Sequence, residues 1–140
     1  MNAVFADTSY FLAFLGENDQ YHHRAIAWTQ VLRASVVTTE YIVIEVGNSL
    51  IKGADRAVFV DFYRELKGRA KLEVIPAATE LQDRGAKLFA DRADKEWSLT
   101  DCISFVVMTE RRLYNALSTD RDFQEAGFRA LLRYEPDERE

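Results

Sequence analysis

Cysteine is nearly missing from this chain: Cys102 stands alone among 140 residues, so no internal disulfide can form. Lying beside Asp101 in an apolar segment, it is expected to be a small core residue, and redox chemistry is not expected. No apolar run approaches the roughly 20 residues that a membrane-spanning helix needs, so no membrane partner is expected. The opening MNAVFADTSYF has neither a basic region nor a small-residue cleavage site, which makes a cytoplasmic location the expectation. Repeats, low-complexity stretches and an interdomain linker are also lacking. Positive charge is in short supply, with a formal charge of −5 and a pI near 5.1, which argues against a protein that simply coats nucleic acid. What is present is ample core material, 48% hydrophobic and 12% aromatic residues, enough for one globular unit over 1–134 followed by an acidic tail, EPDERE at 135–140, too polar to pack. Were four acids gathered around divalent cations, the remainder would carry −5 + 4 = −1. Lys67, Arg69, Lys71, Arg111 and Arg112 would then be candidate phosphate contacts, although a solvated face of mixed charge is the more ordinary explanation of such residues.

Along the chain, short apolar runs alternate with helical spacings. AVFA at 3–6 reads as a buried strand ended by Asp7, with SYFLAFL a short helix after it. Residues 20–34 carry a helical spacing, SVVTT at 35–39 is a second strand, and a helix over 39–52 is expected to end at a left-handed Gly53. A further helix over 54–66 precedes LEVIP, 72–76, a third strand closed by its proline. A helix over 77–93, another opened by Ser98, a fourth strand over 113–119, a helical turn over 120–126 and a fifth strand over 128–132 complete the pattern. Strands alternating with helices predict an α/β fold with right-handed crossovers, a mainly parallel five-stranded sheet covered on both faces.

The stretch LTDCISF, 99–105, places a carboxylate at the mouth of an apolar run and has two explanations. Asp101 lies three residues after Ser98, so S-L-T-D is a capping box with aspartate for the usual glutamate, worth about 1 kcal/mol. Alternatively Asp101 is one of several acids that hold a metal ion. In an open parallel sheet ligands bind outside the carboxyl ends of the strands, at the point where strand order reverses. Asp7 directly follows the first strand and Asp120 the fourth. Each has an ordinary role as an N-cap, with Asp122 an acid in a turn, and Glu45 sits on the polar stripe of an amphipathic helix with Tyr41, Asn48, Ser49 and Lys52. No single acid is diagnostic; the conjunction is. Carboxylates gathered within a few ångströms repel, and a hard divalent ion such as Mg²⁺ or Mn²⁺ relieves that repulsion while leaving room for water and a phosphate.

FADTSYFLAFL, TTEYIVIEVGNSL, SLTDCISFVVM and ALSTDRDFQEAGF, in that order and at these separations, resemble the PIN-domain family, in particular the VapC-like ribonuclease toxins, from residue 3 to about 132. The resemblance assigns Asp7, Glu45, Asp101 and Asp120 to an acidic centre that binds metal and catalyses, with Asp122 a plausible fifth member ranked below Asp120. Thr8, Ser9, Asn48 and Thr119 are candidates to hydrogen-bond those carboxylates or a bound water. Glu40 falls on a different face of its helix, near the start, and His22 or His23 is expected to be structural. The family implies a three-layer α/β/α domain and Mg²⁺- or Mn²⁺-dependent cleavage of RNA leaving a 5′-phosphate and a 3′-hydroxyl. It further implies homodimers and inhibition by a cognate antitoxin of a type II toxin–antitoxin pair. A haloacid-dehalogenase-type phosphatase needs an aspartate where Ser9 stands, and a receiver domain needs an aspartate and a lysine that LEVIP and FRALLRY do not supply. The serious alternative is a PIN-like binding module without nuclease activity.

Overall fold

The computed structural model describes residues 2–137. Five strands, β1 (Ala3–Ala6), β2 (Ser35–Thr39), β3 (Leu72–Ile75), β4 (Asn115–Leu117) and β5 (Arg129–Ala130), form one sheet in the order β3-β2-β1-β4-β5. Every pairing is parallel, and Phe5 of β1 pairs with Val37 on one side and Ala116 on the other. The helices are α1 (Thr8–Leu15), α2 (His22–Val31), α3 (Glu40–Ser49), α4 (Asp55–Leu66), α5 (Thr79–Asp91), α6 (Leu99–Arg111) and α7 (Arg121–Glu125). The chain steps from β1 outward to β3, then returns across the sheet to β4 and β5. Right-handed crossovers therefore put α1 to α4 on one face and α5 to α7 on the other. Packing agrees: α1 lies against α2 and α3, α3 against α4, α5 against α6, and α6 against α7.

Burial on both faces is why the central strand is a continuous apolar run with no polar alternation. Val4, Phe5 and Ala6 are fully buried, and α6 lays Cys102, Ile103, Phe105, Val107 and Met108 onto the sheet. The cysteine is thus the core residue that its neighbours predicted. Gly85 lets α5 approach α6 closely, since a Cβ there would stand 2.4 Å from Ile103 Cγ1. His22 Nδ1 lies 2.8 Å from the carbonyl oxygen of Ala13, the structural role expected of it.

The boundaries differ from the sequence expectation where polar groups intercept the backbone. α3 ends at Ser49 and not near Gly53, because Ser49 Oγ donates to the Glu45 carbonyl (3.0 Å) and Leu50 N–H turns back to Gly47. Gly53 does have positive φ, +54°, but in the turn that leads into α4. The fourth strand is three residues and not seven. Leu113 N–H is spent closing α6 on Met108, while Thr119 and Asp120 N–H turn to serine hydroxyls. The fifth is two residues, because Leu131–Arg133 winds into a 3₁₀ turn closed by Tyr134 N–H on Leu131. The acidic tail, expected not to pack, is held at its first residue by an exposed Arg24–Glu135 ion pair of 3.1 Å; residues 138–140 of it lie outside the described residues.

Candidate metal centre

Strand order reverses between β1 and β4, and both strands deliver an acid at their carboxyl ends. Asp7 occupies the N-cap position of α1, yet its side chain makes no capping bond. Its Oδ2 instead accepts from Ser9 Oγ (3.0 Å) and from Ser118 Oγ (2.9 Å), so the ordinary explanation of this residue fails. Asp7 is 6% exposed. Burial raises its carboxyl to about 6 against the pull of both serines and the Thr8 N–H, and the charge of Asp120 adds to the rise.

Asp101 fulfils the capping role expected of it, and its carboxyl also stands among other acids. Ser98 Oγ accepts from Asp101 N–H (3.0 Å) and Asp101 Oδ2 accepts from Ser98 N–H (3.1 Å), a complete capping box. The same carboxyl reaches the crevice, where Asp101, Asp120 and Asp122 each offer an oxygen within 4.8 Å of the others. Burial is the main reason that Asp101 is raised to about 7, followed by the nearby charges of Asp7 and Asp120. Asp120 caps α7, its Oδ1 accepting from Asp122 N–H at 2.8 Å. Asp122 is raised too, by burial first and then by Asp120.

Glu45 stands outside that compact trio and is bound through Oε1 to the hydroxyl of Thr8, the residue after Asp7. The geometry therefore gathers Asp101, Asp120 and Asp122 tightly, keeps Asp7 within electrostatic reach, and joins Glu45 through Thr8. Thr8 and Ser9 hydrogen-bond carboxylates as expected. Thr119 contributes its backbone only, with N–H on Ser9 Oγ and its carbonyl taking Arg133 Nη1 at 3.0 Å. Asn48 is exposed and lines a groove between α3 and α4, away from the acids. Glu40 accepts from Ala77 N–H (2.7 Å) at the start of α3, off the acidic face as expected. Ser118 was not foreseen. It lies just past β4, where a hydroxyl gives the sequence nothing to mark it.

The five basic residues considered as phosphate contacts belong elsewhere. Lys67, Arg69 and Lys71 precede β3, and Arg111 and Arg112 precede β4, so all lie at the amino edge of a parallel sheet whose acids are at the carboxyl edge. Arg111 is also engaged by Glu73, at 2.9 and 2.7 Å. This placement agrees with the more ordinary explanation of these residues, a solvated face of mixed charge, and sets aside the phosphate-contact alternative.

The donors of the trio are all carboxylate oxygens, hard ligands suited to Mg²⁺ or Mn²⁺ and not to the softer metals that histidine or cysteine would favour. Three acids thus gather at the switch point of a parallel α/β sheet, an arrangement that could hold a divalent cation. The chain belongs to the PIN-domain family, whose model it matches over residues 4–129. It is similar to the 23S rRNA-specific endonuclease VapC20 from two strains of Mycobacterium tuberculosis, 26% identical over 126 residues, 89% of this chain and 95% of the relative. Its fold matches the crystal structure of Mycobacterium tuberculosis VapC20, described as a sarcin-ricin loop cleaving toxin, with a TM-score of 0.83 at 23% identity over 91% of this chain and 97% of that one. Among the described residues no helix is long and apolar enough to cross a membrane.

Proposed function

We propose that this protein is a metal-dependent endoribonuclease, the toxin of a VapBC-type toxin–antitoxin pair, its single domain spanning 1–134. The observation that carries the reading is the convergence of Asp101, Asp120 and Asp122 beside the buried Asp7. Folding gains nothing from packing like charges, whereas a divalent ion gains from it and can in turn neutralise a phosphodiester. Asp7, Asp101, Asp120 and Asp122 would hold Mg²⁺ or Mn²⁺, with Glu45 reaching it from α3. When bound, the ion supplies the positive charge that acidifies water and neutralises the phosphodiester. The remaining work falls to the chain. The serines fix Asp7, the capping box fixes Asp101, and the α7 cap fixes Asp120, so the carboxylates are oriented before RNA arrives.

The protein works in the cytoplasm as a homodimer, and its cognate antitoxin presents a basic side chain that competes for the carboxylates. Exposed Ile44 of α3, Tyr63 of α4 and Ile51 in the connection between them offer apolar surface suited to a protein partner. By analogy with the relatives, 23S rRNA is the first substrate to try. The test is purified protein with labelled rRNA and Mn²⁺ beside an Asp7→Asn variant. Fragments from the wild type alone support the reading; equal fragments from both mean a contaminating nuclease, and none from either over a range of RNAs leaves a binding module.

A further inference from the structure

Two serine hydroxyls meet on one oxygen of Asp7, and each also receives a backbone N–H from the segment that carries Asp120. Ser9 Oγ accepts from Thr119 N–H (3.0 Å), and Ser118 Oγ accepts from Asp120 N–H (3.0 Å). The two hydroxyls lie 3.3 Å from one another. A hydroxyl has one proton to give. With an N–H entering each oxygen, that proton is free for the carboxylate, so both serines donate to Asp7 Oδ2, at 3.0 and 2.9 Å. Ser118 is fully buried, where an unpaired hydroxyl would be costly, so its orientation is fixed by these two partners.

We propose that Ser118 is a positioning residue for the metal centre: its single hydroxyl sets the rotation of the Asp7 carboxylate and the backbone of Asp120 together, fixing the distance between the acids that end β1 and β4. The inference rests on the metal-binding reading of the acids but not on the choice of RNA as substrate. Ser9 carries the same pair of bonds one residue earlier on the 118–120 segment. Its N–H donor is Thr119, which supplies no carboxylate, so Ser9 steadies Asp7 alone while Ser118 steadies both acids. Removing the Ser118 hydroxyl loosens both acids, each then held by its remaining bond, and removing that of Ser9 loosens one.

The experiment is Mn²⁺ binding to the full chain, followed by the electron paramagnetic resonance signal of free Mn²⁺, with far-ultraviolet circular dichroism to establish folding. Ser118→Ala should weaken Mn²⁺ roughly 10- to 100-fold, the range usual for residues that orient metal ligands. Ser9→Ala should weaken it less, and Ser118→Thr, which restores the hydroxyl, should return affinity to near wild type. Should the alanine variant not fold, Ser118→Cys keeps the volume with a poor donor and should show the same loss. Wild-type Mn²⁺ affinity in a folded Ser118→Ala or Ser118→Cys protein overturns the proposal, as does Ser118→Thr binding no better than alanine. Tight Mn²⁺ binding by the wild type with no cleavage of any RNA would instead remove the nuclease reading and leave this one standing.

Discussion

Replacing Asp7 with asparagine should make the metal-free protein more stable while removing its response to metal. The carboxyl of Asp7 is raised from an ordinary 3.8 to about 6, so ionising it in the folded state costs about 3 kcal/mol more than in the unfolded chain. That figure already includes the help from Ser9 and Ser118, because the rise compares charged and neutral forms in the same place. The sign follows from proton binding: the folded state holds the proton more tightly, so stability is full below about pH 4 and falls as pH rises through about 6. Asparagine does not titrate, its carbonyl still accepts from both serines, and its amide faces a site rich in acceptors. The expected gain is near zero at pH 3, about half developed at pH 5 and about 2–3 kcal/mol at pH 8. For a chain of this size that is roughly 5–10 °C in Tm at pH 8.

The assay is thermal unfolding in EDTA at several pH values, repeated with excess Mn²⁺. Wild type should gain about 2.7 kcal/mol at a hundredfold excess over its Kd, and Asp7→Asn should gain little. A variant less stable than wild type by the same amount at pH 3, pH 5 and pH 8 would refute the reasoning, since it would mean that Asp7 serves the fold and is not strained by its charge.

Other outcomes follow from neighbouring features. Mn²⁺ affinity should drop roughly tenfold or more between pH 7.5 and pH 5.5, because protons held by Asp101 near 7 and Asp7 near 6 compete with the ion; a flat calorimetric profile would contradict this. Asp101→Asn should also raise the metal-free Tm at pH 8, offset by about 0.5–1 kcal/mol for the weakened capping box, and should abolish the Mn²⁺-induced rise; a large drop with the metal response intact would leave only the capping role. Gly85→Ala drives a Cβ to 2.4 Å from Ile103 Cγ1 and should cost about 1–3 kcal/mol in urea unfolding; an unchanged midpoint would show that α5 and α6 separate freely.

Much of the fold was legible because it depends on local patterns. β1 is a short apolar run, β2 is rich in β-branched residues, and the S-L-T-D box marks the start of α6 without help from the rest of the chain. The ends of β4 and β5 were not legible, since the N–H groups of Thr119 and Asp120 leave the ladder for hydroxyls supplied by Ser9 and Ser118. The three acids that converge were among those named from the residues and from family likeness, although Asp122 was ranked below Asp7 and Glu45, which lie outside the trio. Ser118 could not be named, because a serine at a strand end carries no charge or periodicity to set it apart. The two explanations of the basic residues could not be separated for a related reason: which edge of a sheet a residue occupies depends on strand direction, and no segment read alone contains that.

The rival explanations of Asp101 do not compete, because a carboxylate has two oxygens. Asp101 gives Oδ2 to Ser98 N–H, Asp120 gives Oδ1 to Asp122 N–H, and Asp7 gives Oδ2 to two serines. In each case one named oxygen is tied to the chain close to where the acid emerges, which limits the rotation of the carboxyl plane and so directs the other oxygen. The bonds that start α6 and α7 are thereby the bonds that orient the acidic centre. Helix start and acidic cluster form together, and on the proposed reading the repulsion left among the acids is the free energy that a divalent ion recovers on binding.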